Sequence, residues 1–588
     1  MNTEDLHVAL QQSFSPDATL RNPAEKVIKG LKNIDGATAM LLQITAEKQV
    51  CNNDIDRYYC KNFLDVNWLN RVSFVFVNNQ VQFEVRQAAA IQLKNICGDC
   101  WVETKSYLGI TVEPTDGSKT VLLKEPDKLQ VKNYILEVLL AEPEKSVQDL
   151  LAETIFHIVK SDFPHQWPSL ITTILQTVQQ SDLPTQGLRV HNALVALRKI
   201  CKRYEYKHKK DRGPLDQIAD QFFPLLLPLA QRLNDLNEHS LEAALTLKQI
   251  LKIFYASTEQ YLPQSIGGIT TLLHPEVMQP WFEIFQKALS KKLPEDETGL
   301  PPLNQPKSVE DREKWPWWKV KKWASKIIRK MFLRHGLPSS VEKEVKIFAN
   351  YFSKQVAPQF LGPICETLNL RAEGHFCTNI VMYHCLSFIE ISIELSSTYK
   401  VLKPHMDFIL YRVCFPTICL SEHDIYLFEH EPHEFMQREF NFLNEFLDPR
   451  SAATRVVGNL VRYRGQDTIN GLLVFFNEIL QNYANGNQKH VEKDGCLQMI
   501  GCLSKILFNT KKYETEAEPM IVTHVFPEFR SSIAFLRSRA CSIVQNFDHI
   551  EWSDSSNLNT MIHMVLQSLS DPSLLVQFEA SKVRKIVI

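Results

Sequence analysis

A helical pattern that returns about every forty residues constrains this chain more than any other feature. Its clearest copy is FEVRQAAAIQLKNICGDCW, from Phe83 to Trp101. Val85, Ala89, Leu93 and Ile96 recur at spacings of 4, 4 and 3, which puts them on one face of an α-helix, with Gln87 and Lys94 on the opposite face. The run Ala88, Ala89, Ala90 removes side-chain bulk, so a neighbouring helix can approach closely without leaving a void. The same arrangement recurs in SVQDLLAETIFHIV (146–159), LRVHNALVALRKI (188–200), HSLEAALTLKQIL (239–251), FLRSRACSIV (535–544) and LLVQFEASKV (574–583). Taking the small residue as the marker, Ala152 and Ala193 stand 41 residues apart and Ala540 and Ala580 stand 40 apart. That interval fits a two-helix repeat, which buries its apolar face only by stacking on the next one.

Composition sets the outer limits. With 65 basic and 67 acidic residues the chain has no global field to steer nucleic acid or a membrane surface, so partner choice must be local. Thirteen cysteines are scattered singly, without disulfide spacing, as expected of a reduced cytosolic or nuclear protein. The N-terminus MNTEDLHVALQQ has no basic region, and the longest strongly apolar run, FFPLLLPLA, is short and holds two prolines. The expectation is a soluble protein with no membrane insertion.

Read in order, the chain is helix after helix. Thr3–Phe14, Asn22–Leu31 and Ala37–Lys48 are followed by an aromatic-rich interruption, 51–82, containing the strand-prone VSFVFV. Connections between packed helices usually take about 2–8 residues, so this segment reads as an insertion within a first domain, 1–101. A second weak strand signal, TVLL (120–123), sits in the polar stretch that follows. Hairpins Lys128–Ala141 with Lys145–Lys160, and Ser169–Gln179 with Leu188–Arg203, open a repeat region 102–290. Pro294, Pro301, Pro302 and Pro306 mark 291–316 as an exposed loop or hinge, and helices resume over 317–588. The last helix carries no polar capping face, so the array is expected to be truncated there and to expose an apolar surface over roughly 566–588.

Catalytic motifs are missing: the sequence has no GxxxxGK[ST], GxGxxG, GxSxG or EF-hand spacing. Cys97 and Cys100 form a CxxC without a second pair or a strand-to-helix turn, and read as core. His430 and His433 are three apart with Pro432 between them, which marks a helix start rather than an HExxH metal site. In WPWWKVKKW (315–323), Val320, Ala324, Ile327 and Met331 form a buried stripe, while Lys319, Lys322, Lys326 and Lys330 are expected to face water. The run 198–212, RKICKRYEYKHKKDR, holds eight Lys or Arg and is the only strong charge excess the pattern picks out. It reads as a solvated helix end, a placement that disfavours direct nucleic-acid binding.

These residues together resemble the importin-β superfamily of nuclear transport receptors, in the branch of importins seven and eight. NPAEKVIKGLKN with FEVRQAAAIQLKNICGDCW is similar to the importin-β N-terminal domain. KRYEYKHKKDRGPL, LKQILKIFYA, WPWWKVKKWASKII, HEPHEFMQREF, EKDGCLQMIGCLSKIL and HVFPEFRSSIAFLRSRACSIV follow in the branch's order. The segment 51–82 and the terminal KVRKIVI depart from the family pattern.

The resemblance implies an all-α HEAT-repeat superhelical solenoid (an α-α superhelix), with no enzymatic activity and no cofactor. It also implies Ran-GTP, often basic cargo proteins and phenylalanine-glycine nucleoporins as partners, and residence in cytoplasm and nucleus and at the nuclear pore. Gln87, Lys94 and Asn95, with Arg198 and Lys202, lie off the apolar stripes in the resembling region and are the candidate Ran-facing residues. Three alternatives remain open on these residues, of which two are an exportin of the same superfamily and a HEAT scaffold that works without Ran. An RNA-binding solenoid resting on 198–212 is the third.

Overall fold

The structure, a computed structural model, describes residues 1–46, 82–102, 122–180, 183–236, 240–293, 309–440, 447–507, 513–548 and 550–583. Most of the segment 51–82, the first half of TVLL, the proline-rich 294–308 and the terminal 584–588 lie outside the described residues. What is described is an all-α solenoid of antiparallel helix pairs, divided into two compact units, Met1–Thr271 and Leu272–Ile588.

In the first unit the pairs are Glu125–Ala141 with Lys145–Asp162, Ser169–Gln179 with Leu183–Tyr204, and Gly213–Asp235 with Leu241–Thr258. Call the first helix of each pair A and the second B. The B helices stack in order, from Phe83–Cys100 onto Lys145–Asp162, then Leu183–Tyr204, then Leu241–Thr258. Each carries a fully buried alanine at the seam: Ala89, Ala152, Ala193 and Ala244. Polar links tie pair to pair. Arg86, on the first B helix, pairs with the buried Glu142 at the next A–B turn and also donates to the Thr45 carbonyl at 3.2 Å. Asn192 donates to the carbonyls of Leu139 and Glu142, both at 2.8 Å, and so satisfies the end of the preceding A helix.

Several boundaries differ from the sequence reading. The Leu183–Tyr204 helix starts five residues before the expected Leu188, because Pro184 lies in its first turn, where a missing N–H costs nothing. Pro126 has the same place in Glu125–Ala141. A short helix, Val309–Lys314, occupies part of the expected 291–316 loop.

Among the described residues one strand pair occurs, in a place where the sequence reading expected none. Ser265–Ile266 pairs with Ile269–Thr270 around Gly267 and Gly268, whose φ angles of 59° and 80° suit a tight hairpin turn. The helix beneath explains its position. Pro224 lies inside Gly213–Asp235 and has no N–H for the carbonyl of Asp220, and that carbonyl instead accepts from Gly267 at 3.3 Å. The Asp220 carboxylate accepts from Gly268 N–H at 2.8 Å and from the Ser265 hydroxyl at 3.1 Å.

In the second unit the B row runs Pro316–His335, Asn379–Glu394, the first half of Pro449–Ala484, His490–Leu507, Ala534–Asn546 and Leu574–Lys582. Arg464, with φ −135° and ψ 23°, breaks the long helix, so its second half is the A helix of the next pair. Ion pairs join neighbouring B helices: Glu390 with Arg455 at 3.1 Å, and Asp494 with Arg539 at 2.8 and 3.1 Å. A hairpin of two short helices, Glu422–His430 and Pro432–Phe440, packs Phe428 and Phe435 with Phe535, Leu536 and Leu575, so it touches B helices two and three pairs further along.

Two glycines of this unit predict opposite outcomes. A Cβ at Gly336 would sit 2.6 Å from the Phe352 ring and 3.0 Å from the Phe332 Cα. That ring cannot easily give way, since Phe282, Phe332 and Phe348 surround it at 5.5, 5.5 and 6.1 Å. Gly336→Ala is expected to cost about 1–3 kcal/mol. Gly362 lies mid-helix with open space around it, so Gly362→Ala is expected to be neutral or stabilising by up to about 1 kcal/mol. Urea unfolding of both variants checks the pair, and equal effects would mean that packing at Phe352 is not the cause.

Candidate functional site: the basic B layer of the first unit

The outer turns of the B helices in the first unit hold more charge than packing requires. On Lys145–Asp162, the apolar stripe of Leu151, Ile155 and Ile158 faces the core and leaves Asp149, Glu153, Phe156 and His157 toward solvent. Three lysines gather at the half-buried Phe156: Lys160 lies 4.6 Å, Lys202 5.2 Å and Lys199 5.8 Å from the ring centre. Glu153 pairs with Lys199, and its carboxyl sits below the usual range because Lys199 and Lys202 outweigh the opposing effect of burial. His157 lies against Gly98 on the preceding B helix, where a Cβ would come within 3.4 Å of the ring. Burial, together with Lys160 and Lys94, holds His157 below its ordinary value.

A second group adjoins the first. Burial lowers Arg198, which sits among Asp149, Glu153 and Glu205. Burial first, and then Arg198 and Lys248, bring Lys252 down to about 7, with Asp149 opposing. His191 shares a 3.2 Å contact with the Thr246 hydroxyl and is lowered to about 4, by burial and then by Lys248 and Lys252. Cations thus outnumber carboxylates across four neighbouring B helices. Such a layer performs no chemistry, but it attracts a carboxylate-bearing surface and strengthens the attraction wherever water is excluded.

The sequence candidates divide against this geometry. Lys94, Arg198 and Lys202 all belong to the cluster, although they come from helices about 100 residues apart in the chain. Gln87, half-buried, and Asn95, exposed, share the helix of Lys94 and lie outside the cluster. Sequence reasoning missed Glu153, Phe156, His157, Lys160, Lys199, Lys248 and Lys252. The signal available was Asp149, Glu153 and His157 at spacings of four, off the apolar stripe.

The reading of 198–212 as a solvated helix end holds past the end of the helix at Tyr204, where residues 206–211 are exposed, and needs correction at three cations. Arg198 and Lys199 are half-buried in the B layer, and Arg212 is buried, donating to the carbonyls of Tyr204 at 2.9 Å and Ser257 at 2.6 Å. A guanidinium at two helix ends is well placed to take their unpaired carbonyls. Elsewhere, Cys97 and Cys100 are buried and their thiols are raised by burial, as core cysteines are. His430 ends one short helix and Pro432 opens the next. Among the described residues no group of three or more His, Cys, Asp or Glu is placed to hold a metal, and no single helix is long and apolar enough to cross a membrane.

Comparison with known proteins fixes the family. The importin-β N-terminal domain model matches residues 66–141, beginning inside the segment read as an insertion, and the Cse1 model matches 337–534. An importin β-like SAD2 homolog of Arabidopsis thaliana is 30% identical over 87% of this chain and 47% of its own length. Importin-8 of Homo sapiens is 28% identical over 95% of this chain and 50% of its own. The chain belongs to the importin-β superfamily. This is a family of nuclear transport receptors and not of enzymes. The exportin Cse1 in its cargo-free, cytoplasmic state has the same fold, with a TM-score of 0.68 at 17% identity, over 100% of this chain and 57% of that one. This importin-β superfamily chain spans about half the length of the curated relatives it matches.

The lowered Lys252 carries a pH prediction. An unfolded chain keeps this lysine protonated up to its ordinary 10.5, whereas the folded chain releases the proton near 7. Between those values the unfolded state binds more protons, so this group makes stability rise with pH; the penalty is full below about 7. The urea midpoint of the native chain is expected to rise from pH 7 to pH 9 more steeply than that of Lys252→Met. Parallel curves would show that the Lys252 ammonium is not held out of water.

Proposed function

We propose that this chain acts as a nuclear import receptor, binding Ran-GTP on the basic B layer of the first unit and carrying protein cargo through the nuclear pore. The observation that carries the reading is the convergence of Lys94, Lys160, Lys199 and Lys202, with Arg198 beside them, on neighbouring helices in a chain similar to importin-8. A layer of cations around one aromatic ring favours a partner that supplies carboxylates and covers the ring. Ran-GTP and cargo then compete through an unfavourable coupling free energy: each lowers the affinity for the other. Passage through the pore by phenylalanine-glycine segments is supported in the second unit by a groove of about 290 Å³ in which Tyr411, Phe415 and Phe475 form one side and polar residues, among them Glu478, Asn482 and Lys489, the other. The groove is wide enough for a phenyl ring and presents aromatic faces to it. The receptor would shuttle between cytoplasm and nucleus.

Export is the second reading, and the fold shared with Cse1 favours it. The two differ in the sign of the coupling, since an exportin holds its cargo more tightly with Ran-GTP and an importin less tightly.

A pull-down with Ran loaded with GTP or with GDP tests the proposal, and capture independent of the nucleotide would point to a scaffold without Ran dependence. Lys94→Glu combined with Lys202→Glu is expected to weaken Ran-GTP binding roughly tenfold or more, since charges at an interface mainly set encounter and complementarity. The melting temperature should stay within a degree or so, as Lys202 is exposed and Lys94 only half-buried. Unaltered binding would remove both residues from the interface.

A further inference from the structure

Past the end of the Leu183–Tyr204 helix the chain turns outward before the next A helix begins. Tyr206 is 72% exposed, more open than any other large apolar or aromatic side chain among the described residues, and Lys207, His208, Lys209 and Lys210 are exposed beside it. Part of this charge has a structural reason: Lys202 and Arg203, in the last turn, suit the carbonyl end of a helix. That reason stops at Tyr204, where the helix ends. An open phenol ring gains nothing from a helix dipole and, left in water, adds little to folding.

The loop is held in one shape all the same. Lys207 N–H donates to the Tyr204 carbonyl at 3.2 Å, Asp211 N–H to the His208 carbonyl at 2.9 Å and Arg212 N–H to the Lys209 carbonyl at 3.2 Å. Lys209–Asp211 forms a single turn of 3-10 helix. The Arg212 guanidinium, bonded to the carbonyls of Tyr204 and Ser257, ties the end of the loop to the Leu241–Thr258 helix. Ring and cations are thus presented together on a turn fixed at both ends, so little order remains to be lost when a partner lands on them. Residues 202–211 hold five Lys or Arg and two carboxylates, Glu205 and Asp211. What sets the loop apart is not a missing counter-charge but the open ring among the cations.

We propose that 206–210 is a landing site for single-stranded nucleic acid, with one base stacked on Tyr206 and the flanking phosphates meeting Lys207 and Lys210. Every base has a flat face and a single strand leaves it open, so an exposed ring among cations binds such strands with little regard to sequence. An acidic peptide matches the cations and offers the ring no flat partner. A duplex also matches the cations, but its bases stay stacked on one another. The basic helix Pro316–His335 shows the contrast. Its Trp317 and Trp318 are buried, as is Trp315 before them, and Lys319, Lys322, Lys326 and Lys330, expected to face water, are half-buried. There the rings serve the core, whereas at Tyr206 the ring is outside. Sequence alone disfavoured nucleic acid because the charge lies in one stretch of a neutral chain; the exposed ring is what the structure adds. None of Tyr206, Lys207 and Lys210 is among the residues proposed to meet Ran-GTP.

The test uses the full chain, fluorescence anisotropy and four labelled probes: a ten-nucleotide oligo(U), a ten-nucleotide oligo(dT), a ten-base-pair DNA duplex and a ten-residue peptide alternating Glu and Ser. Binding of either single strand, weakening with salt, is expected, and the ratio of the two names RNA or DNA as the source. Tyr206→Ala should weaken that binding roughly tenfold, and Tyr206→Phe, which keeps the ring, should retain it. Lys207→Gln with Lys210→Gln should flatten the slope of log affinity against log salt by about 1.4, at about 0.7 per phosphate. Melting temperatures of all three variants should stay within a degree or so of the native chain, since these side chains are exposed. The proposal is overturned if neither single strand binds, if Tyr206→Ala binds as tightly as the native chain, or if the duplex or the peptide binds as tightly as the single strands.

Discussion

Each B helix lies on the next through a buried small residue, and the rest of the molecule depends on that seam. Ala89, Ala152, Ala193 and Ala244 in the first unit, and Ala324, Ala453, Ala540 and Ala580 in the second, are at most 2% exposed. A methyl group lets neighbouring backbones approach at full packing density, where a larger side chain would force them apart. Once the seam is fixed, residues one turn away from it on successive helices face each other. The pairs Glu153 with Lys199, Glu390 with Arg455 and Asp494 with Arg539 follow from that registration. The charged clusters follow from it as well, since they too combine side chains from consecutive B helices.

Backbone groups left over at the ends and breaks of the helices are taken up by their neighbours. Asn192 and Arg212 serve the carbonyls at helix ends, and the Gly267–Gly268 hairpin serves the carbonyl that Pro224 leaves free. An unpaired buried carbonyl costs about as much as a lost hydrogen bond, so these contacts are part of the fold's stability rather than decoration of it. They explain why residues of polar or breaking type stand within apolar repeats. Arg212 belongs to the same group: by composition it is one more charge in a basic run, and by position it is a clamp between two helix ends.

The two units carry basic B layers of different character. In the first, Lys160, Lys199 and Lys202 surround the ring of Phe156, and Glu153 pairs with one of them. In the second, the cations stand along one helix in a ladder over a neutral, buried His384. A ring of charge around an aromatic centre suits a surface that can cover that centre.

By itself the sequence determined the all-α class, the two-helix period and most of the core, because the 3.6-residue periodicity and the small-residue marker are local properties of the chain. It also picked out Lys94, Arg198 and Lys202, since a residue off the apolar stripe is recognisable within its own helix. Tertiary structure alone decided what those residues meet. Phe156 and Lys202 come from different pairs, His384 and Lys326 likewise, and no single-helix pattern reports a side chain contributed from the next helix. Tertiary structure likewise decided the strand pair of the described residues: Ile266 and Ile269 pair because two glycines supply the turn and Pro224 leaves a carbonyl free beneath it. Propensity belongs to a segment, whereas a partner belongs to the fold.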